Sequence, residues 1–320
     1  MERLNGDGPL KIPVLVLAGP TASGKTALAM EVALRLGTEI ISADSAQVYR
    51  RLNIGTAKPT PLEQARVAHH LVDLIEPDRE YSVAEYQTAA FKMITDFYQS
   101  GRIPFMVGGT GLYIKAVLDN YAFGEKGGNE ELRRELADFA ASRGLPALYQ
   151  KLQKDDPLAA AAIHPNDERR IIRAMEVKIL EGRPISDQVR RTEARSSPYD
   201  PLFFCLSMDR QQLYGRIEER ADLMIKAGLL EETKKLLGSG FKPEDPGLQV
   251  IGYRQMAAFL TGRCSFADAL ADMKKQTRNY AKRQMTWFKR DRRIRWLSKE
   301  EHSFKQMVEI ICTAVKELGC

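Results

Sequence analysis

A glycine-rich segment near the N-terminus carries the residue types that bind phosphate. Residues 19–26 read Gly-Pro-Thr-Ala-Ser-Gly-Lys-Thr and match the pattern G-x-x-x-x-G-K-[ST] in full. In such a loop the glycines let successive backbone N–H groups turn towards phosphate oxygens at the start of a helix. The segment therefore predicts a di- or triphosphate site, with Lys25 on the outer phosphate and the Thr26 hydroxyl on Mg²⁺. An ordinary glycine-rich turn between a strand and a helix is the alternative.

A second reactive side chain, Asp44, lies at the end of a short strand predicted at residues 39–44. Ligands of open α/β sheets gather at the carboxyl ends of the strands, so this carboxylate would face the same crevice as Lys25. There it could accept a proton from an attacking group. The local sequence equally allows Asp44 to cap a helix that begins at Ser45. The pair His69-His70 has no third ligand nearby, and this is more typical of a structural pair than of a metal site.

A dense basic segment lies towards the C-terminus. Residues 274–295 contain ten Lys or Arg residues and one acid, Asp291, so this segment carries +9 while the whole chain carries +6. Five of the basic residues recur at helical steps: Lys275, Arg278, Lys282, Lys289 and Arg293. Three residues at seven-residue steps predict the face that packs on the core: Met273, Tyr280 and Trp287. Because a merely solvated face usually carries both signs, the basic stripe favours nucleic-acid binding.

Apolar runs alternate with helical patterns over the first 120 residues. Strands are predicted at 13–18, 39–44, 70–75 and 103–107, and helices at 24–36 and 82–99, the latter opened by a Ser82–Glu85 capping box. Beyond residue 121 the pattern is helical, with the clearest helix at 166–181 capped by Asn166, until a strand follows at 202–208. A long helix is predicted from about 265 to 293. The expected fold is a P-loop NTPase-like parallel α/β core (1–123 and 198–320) with a helical insertion domain (124–197) and a helical C-terminal part.

The composition excludes several classes of protein. With 44% apolar and 28% charged residues, the chain is neither disordered nor collagenous, and its longest apolar run is too short to span a membrane. No signal-peptide pattern is present at the N-terminus. The four cysteines lie far apart, so we expect no disulfide framework and no zinc site. A cytoplasmic protein without an obligate protein partner is expected.

Eight segments, in this order, resemble the tRNA dimethylallyltransferase family: residues 19–26, 42–49, 53–58, 69–73, 107–113, 164–167, 251–255 and 282–288. The resemblance covers the chain to about Trp296. It implies transfer of a dimethylallyl group from dimethylallyl diphosphate to N6 of the adenosine at tRNA position 37, next to the anticodon, which yields N6-isopentenyladenosine and diphosphate. It also implies Mg²⁺ as cofactor and the anticodon stem-loop of tRNA as partner. The chain resembles the bacterial form, without the zinc finger of eukaryotic relatives.

The same resemblance implies roles for individual residues. Asp44 would act as the base towards the N6 amine, Thr21 would face the bridging oxygen, and Lys25 would complete the catalytic set. The diphosphate-binding residues would be Gly19, Pro20, Thr21, Ala22, Ser23, Gly24, Lys25, Thr26 and Arg220. The tRNA-binding residues would be Asp44, Ser45, Ala46, Gln47, Thr110, Arg133 (with Arg134 as the alternative), Arg169, Arg170, Ile171, Ile172, Arg173, Gln249, Gly252, Tyr253 and Arg254. The basic segment adds Lys282 and Arg283 as candidate tRNA contacts.

Two other functions fit the phosphate loop. In the first, the protein is a P-loop kinase that binds ATP and uses Asp44 to activate an acceptor hydroxyl. In the second, it is a non-catalytic RNA-binding NTPase switch. The guanine-reading sequence Asn-Lys-x-Asp is absent, and the apolar run at 103–107 ends in Gly108-Gly109, whereas ATPases and GTPases usually place a metal-binding acid after such a strand. Dimethylallyl diphosphate and ATP would be distinguished by which of them raises the melting temperature.

Overall fold

The computed structural model describes residues 11–124 and 127–318. Within this part of the chain six strands form one sheet: β1 (Ile12–Ala18), β2 (Ile40–Ser42), β3 (His69–His70), β4 (Phe105–Gly108), β5 (Tyr199–Ser207) and β6 (Arg295–Ser298). Their order across the sheet is β3-β2-β4-β1-β5-β6, and every neighbouring pair is parallel. The predicted parallel α/β core is confirmed.

Helices connect successive strands of the described chain. They are α1 (Lys25–Leu36), α2 (Pro61–Arg66), α3 (Val83–Gln99), α4 (Gly111–Leu118), α5 (Glu130–Arg143), α6 (Leu145–Asp155), α7 (Pro157–Ala162), α8 (Glu168–Glu181), α9 (Ile185–Glu193), α10 (Arg210–Lys226), α11 (Leu229–Gly238), α12 (Tyr253–Leu260), α13 (Phe266–Phe288) and α14 (Phe304–Lys316). A short 3-10 turn lies at Pro246–Gln249. The predicted capping box of α3 is confirmed, because Ser82 and Glu85 exchange backbone-to-side-chain hydrogen bonds.

Two apolar layers cover the sheet. Helices α1 and α14 pack on one face, against side chains such as Leu15 and Leu17 of β1. Helices α3 and α4 and the end of α13 pack on the other face, against Val14 and Val16. Alternate residues of one strand point to opposite faces, so a central strand buried on both sides reads as a continuous apolar run. Held on both faces, the sheet is a fixed base for the loops at its strand ends.

Residues Asp119–Ser197 form a compact unit of their own, which contains α5 to α9. Its core includes Leu148, Leu152 and Ile171. The rest of the described chain forms the other unit, which holds the sheet. Two residues near the start of the predicted insertion domain (124–197), residues 125 and 126, lie outside the described residues.

The two ends of this helical unit are hydrogen-bonded to each other. The N–H of Ala122 donates to Thr192 Oγ1 at 2.9 Å, and Arg195 Nη1 donates to the carbonyl of Tyr121 at 3.4 Å. The chain therefore leaves and re-enters the sheet-bearing part through neighbouring positions of the helical unit.

Among the predicted elements whose bounds differ in the structure, two differ for an identifiable local reason. The strand expected at 70–75 is only His69–His70, because Leu71 and Asp73 adopt left-handed backbone angles (φ +60° and +53°) that a strand does not allow. The helix expected from Asn166 begins at Glu168, and its cap is Asp167, whose carboxylate accepts the N–H of Arg170. Here an aspartate one position later supplies the same kind of cap.

The long basic helix, α13, is shorter than predicted. It begins as expected after its Ser265 cap but ends at Phe288, because the chain then turns into β6. The packing face is also partly different from the prediction. Met273 is buried, whereas Trp287 is 37% exposed and lies against Gly111 of α4. The described helices include none that is long and apolar enough to cross a membrane.

Candidate active site

The residues predicted to do chemistry lie where strands end. β1 runs into the phosphate loop at Gly19, β2 into Asp44, and β4 into Gly109 and Thr110. These three strands are successive neighbours in the order β2-β4-β1, and they are parallel. Their carboxyl ends therefore open on one edge of the sheet, where α/β proteins bind ligands.

The phosphate loop has the bent backbone that its sequence predicts. Gly19 and Gly24 have positive φ angles (149° and 87°), and Ala22 is held in the left-handed region at φ 62°. Left-handed angles are costly for a residue with a side chain and concentrate at functional sites. Lys25 Nζ donates to the carbonyls of Gly19 and Pro20 at 2.8 and 2.7 Å. The lysine thus closes the loop on itself at the start of α1.

Lys25 has a weakened hold on its proton. Its pKa is lowered from 10.5 to about 8, mainly by burial, while the carboxylate of Asp44 opposes the shift and the guanidinium of Arg220 adds to it. These effects place the lysine, the arginine and the aspartate within electrostatic reach of one another. Cys205 lies nearby as a neutral thiol, because burial raises its pKa to about 12.

Asp44 lies in a turn rather than at the start of a helix. Its Oδ1 accepts the N–H of Ala46 at 2.9 Å, and its carbonyl accepts the N–H of Gln47. Residues 45–48 form a turn, so the alternative that Asp44 caps a helix is wrong. The carboxylate is partly exposed at the edge of the sheet and is held by its own backbone turn.

The loop after β4 is bonded directly to the segment that carries Asp44. The N–H of Thr110 donates to the carbonyl of Ala43 at 3.0 Å, and its hydroxyl accepts the N–H of Ser45 at 2.9 Å. A Cβ on Gly108 would lie 2.1 Å from the Ala43 carbonyl oxygen. Only glycine permits this close approach, which explains why residue 108 is a glycine.

Three cations approach the phosphate loop from other elements. On α10, Arg220 Nη1 lies 3.4 Å from Thr21 Oγ1, and Arg216 Nε donates to the carbonyl of Ala22 at 2.9 Å. After β6, Lys299 Nζ lies 2.9 Å from the point that a Cβ on Gly24 would occupy. Arg220 was predicted, whereas Arg216 and Lys299 were not. The four-residue spacing of the two arginines was a usable signal, but nothing local connects Lys299 to a loop 275 residues earlier in the chain.

Comparison with known proteins agrees with this geometry. The sequence pattern of the IPP transferase family matches residues 47–291, and that of the isopentenyl transferase family matches residues 12–73. A tRNA dimethylallyltransferase of Pelotomaculum thermopropionicum is 46% identical over 290 residues, which are 91% of this chain and 92% of the relative. The chain belongs to the tRNA dimethylallyltransferase family. A second relative of that name, from Halalkalibacterium halodurans, is 43% identical over 302 residues, 94% of this chain and 96% of the relative.

Solved structures support the same membership. The full-length tRNA isopentenylpyrophosphate transferase of Bacillus halodurans is 41% identical and superposes with a TM-score of 0.72. The match covers 96% of this chain and 96% of that one. A eukaryotic dimethylallyltransferase acting on tRNA is 32% identical with a TM-score of 0.75, covering 90% of this chain and 74% of that one. The P-loop NTPase-like fold predicted from the sequence is the fold of this family.

Not all side chains expected to contact tRNA in this family are exposed. Gln47 accepts from the hydroxyl of Ser42 and donates to the Ala57 carbonyl, so it also fixes its own loop. In the segment 249–254, Gln249 and Arg254 are exposed and Gly252 is buried. The side chain of Tyr253 is fully buried, and its hydroxyl donates to Glu232. Contacts made by side chains of this segment therefore depend on Gln249 and Arg254.

In the helical unit the predicted arginines differ in their surroundings. Arg169 and Arg170 are exposed, Ile172 is partly exposed, and Ile171 belongs to the core of the unit. Arg133 and Arg173 both pair with the buried carboxylate of Glu176, at 2.9 and 2.6 Å. Arg134 is exposed and pairs with Glu130 at 3.3 Å. Glu176 thus holds two of the predicted arginines side by side.

The basic stripe of α13 is partly neutralised by another helix of the same unit. Lys274 pairs with Asp222 at 2.7 Å and Arg278 pairs with Glu218 at 2.6 Å, both acids being on α10. Arg293, predicted to lie on the stripe, lies beyond the end of α13 and pairs with Asp291 at 2.5 Å. Lys282 and Arg283 are exposed. Lys275 and Lys289 of the stripe are exposed as well, so several of its cations remain open to solvent.

Proposed function

We propose that this protein transfers a dimethylallyl group from dimethylallyl diphosphate to N6 of the adenosine at position 37 of tRNA. The observation that carries the proposal is that Asp44 and Lys25 lie within electrostatic reach of each other, after the ends of β2 and β1 on either side of β4, in a member of this family. The lysine belongs to a loop built for phosphate, and the carboxylate suits an amine that must lose a proton. A kinase would share the loop, but family membership favours the prenyl transfer.

Diphosphate departure is the step that the phosphate loop would assist. As the allylic C–O bond breaks, negative charge grows on the bridging oxygen and is spread over the diphosphate. Lys25, Arg220 and the N–H groups at the start of α1 would stabilise that charge more strongly in the transition state than in the bound substrate. The Ser23 hydroxyl is buried and has no hydrogen-bond partner among the described residues, so it is a further donor suited to a phosphate oxygen.

Asp44 would act on the other substrate. The exocyclic N6 lone pair is delocalised into the adenine ring, so the amine is a poor nucleophile and its orientation matters more than strong basicity. A hydrogen bond from N6–H to Asp44 would orient the amine. When the N6–C bond forms and the C–O bond breaks, the proton leaves N6 for this carboxylate, and diphosphate carries away the electron pair.

Oxygen donors suited to Mg²⁺ are present at the same edge. The Thr26 hydroxyl lies on the exposed first turn of α1, and Asp44 follows β2 at the same edge of the sheet. Among the described residues no three His, Cys, Asp or Glu side chains converge, so Mg²⁺ would take most of its ligands from diphosphate and water. When bound, the ion neutralises charge on the leaving diphosphate. We place its protein contact at Thr26.

The tRNA would lie along several exposed surfaces. We assign Lys282, Arg283 and Arg254 of the sheet-bearing unit, and Arg169 and Arg170 of the helical unit, to phosphate contacts. The target base is stacked in the anticodon loop and must be extruded to reach the crevice, which costs less in a loop than in a duplex. Because the acceptor is tRNA, we place the enzyme in the cytoplasm.

Label transfer from dimethylallyl diphosphate to unmodified tRNA tests the proposal, with Asp44→Asn as the deciding variant. Wild type should label tRNA, and Asp44→Asn should bind both substrates but lose about 10²-fold or more in turnover, the usual scale of acid–base assistance. Glu85→Gln, an exposed carboxylate on α3, is the matched control and should keep full activity. A single-turnover rate of Asp44→Asn close to wild type would remove Asp44 from the mechanism. Phosphate transfer from ATP, with no tRNA labelling, would favour the kinase.

A further inference from the structure

Gln284, in the last third of α13, connects two loops of the active site through one buried side chain. Its Oε1 accepts the N–H of Thr21 in the phosphate loop at 2.9 Å, and its Nε2 donates to the carbonyl of Gly109 after β4, also at 2.9 Å. The residue is only 6% exposed. Both ends of the amide are therefore used, and each bond reaches a different strand end.

The space around this amide is closely fitted. A Cβ on Gly109 would lie 2.2 Å from Gln284 Nε2, so the glutamine can approach only because residue 109 is glycine. One turn earlier on α13, interactions with Thr110 and Gln284 partly offset the rise in the pKa of Tyr280 that burial causes. α13 thus contacts the loop after β4 at two points, and the same loop fixes the segment carrying Asp44.

Two consequences follow for the chemistry. Because the Thr21 N–H donates to Gln284, the peptide bond before Thr21 is fixed. The hydroxyl of Thr21 is thereby held beside Arg220. Because the Gly109 carbonyl is held by the same amide, the loop that positions Asp44 has a fixed distance from the phosphate loop. An error of about 1 Å between reacting groups can cost about 10²-fold in rate.

We propose that Gln284 is a positioning residue, which sets the spacing between the diphosphate loop and the Asp44 segment and couples both to the helix that carries Lys282 and Arg283. The inference rests on the proposed prenyl transfer. Gln284 acts through Thr21 and Gly109, and its effect belongs to the transfer step. Binding of tRNA at the exposed face of α13 does not depend on it.

The test compares Gln284→Met, Gln284→Glu and the matched control Gln276→Met in single-turnover labelling of tRNA with both substrates saturating. Gln276 lies two turns earlier on α13, and its amide donates to Asp272 of the same helix at 3.0 Å. Methionine keeps the length of the side chain without its polar ends. Glutamate still accepts the Thr21 N–H but turns a carboxylate oxygen towards the Gly109 carbonyl. Both Gln284 variants should lose about 10- to 100-fold in rate, with the tRNA dissociation constant within about threefold of wild type.

Other outcomes have definite meanings. A purely structural role would lower the melting temperature while the rate per folded molecule stayed within about threefold of wild type, and this result would overturn the inference. If Gln284→Met fails to fold, full activity of the nearly isosteric Gln284→Glu would also overturn the inference. Failure of the proposed function is a separate result, because then neither wild type nor Gln276→Met would label tRNA.

Discussion

Lys25, which we propose assists the departure of diphosphate, carries an unusually labile charge. Its pKa of about 8 results mainly from burial, with Arg220 adding to the shift and Asp44 opposing it. A bound diphosphate would reverse this balance by placing negative charge beside the ammonium group. The pKa of Lys25 should therefore respond to diphosphate bound in the loop.

Affinity for dimethylallyl diphosphate should fall as the pH rises through about 8, because the free enzyme then loses the proton of Lys25. In Lys25→Met the affinity should be low and nearly independent of pH between 8 and 10. The stability of the ligand-free protein should change in the opposite direction and increase with pH. The folded state disfavours the charged lysine, so the unfolding free energy of wild type should rise relative to Lys25→Met from about pH 8 to 10.5. Calorimetric titration and thermal melts measure the two trends, and parallel pH profiles for both proteins would contradict this account.

At the level of elements, α13 has two faces with different tasks. Its buried face places Gln284 and Tyr280 against the loops of the active site. Its exposed face offers Lys282 and Arg283 to solvent, while acids of α10 already neutralise Lys274 and Arg278. The charge that is free to act on RNA is thus smaller than the local sequence count.

Lys282→Glu should weaken tRNA binding and make the dependence of log Kd on log salt shallower, by somewhat under one unit for each phosphate that is no longer neutralised. Affinity for dimethylallyl diphosphate should not change. Lys305→Glu is the matched control, because this lysine is exposed on α14, on the opposite face of the sheet. Binding measured from about 50 to 300 mM salt provides the comparison. Superimposable lines for Lys282→Glu and wild type would mean that the helix is only solvated surface.

Sequence patterns were sufficient where the structural cause is local. The phosphate loop and the capping box of α3 depend on residues within a few positions of each other. The patterns were insufficient where the cause is distant. Lys299 reaches Gly24 through the register of the sheet, and Gln284 meets residues 263 and 175 positions away. β3 ends early because Leu71 and Asp73 adopt left-handed backbone angles, and their residue types do not predict such angles.

On the scale of the whole molecule, the chain divides its groups between two units. The sheet-bearing unit holds the phosphate loop and Asp44, while the helical unit holds Arg133, Arg173 and the carboxylate of Glu176 that pairs with both. Hydrogen bonds from these arginines and from the N–H of Asn129 lower the pKa of Glu176 against the opposing effect of burial. The carboxylate therefore stabilises the unit above its ordinary pKa, and this stabilisation is lost as the pH falls.

Glu176→Gln should weaken tRNA binding and leave dimethylallyl diphosphate binding unchanged, because the two arginines lose the charge that holds them while the phosphate loop lies in the other unit. The melting temperature should also fall by a few degrees, since a buried ion pair is broken. Glu130→Gln makes the same change beside the exposed Arg134 and should do neither. Filter binding of tRNA and thermal melts provide the readouts. Equal tRNA affinity for both variants would exclude Arg133 and Arg173 as a joint contact.

The joined ends of the helical unit have a consequence for how the protein can be altered. Ala122 is hydrogen-bonded to Thr192, and Tyr121 to Arg195, so the first and last residues of the unit lie close together. Excising it and closing the gap with a few flexible residues should leave the strand order of the sheet untouched. The same feature makes the segment portable between relatives, so that exchanging it would transfer whatever RNA preference it carries and keep the chemistry of the host.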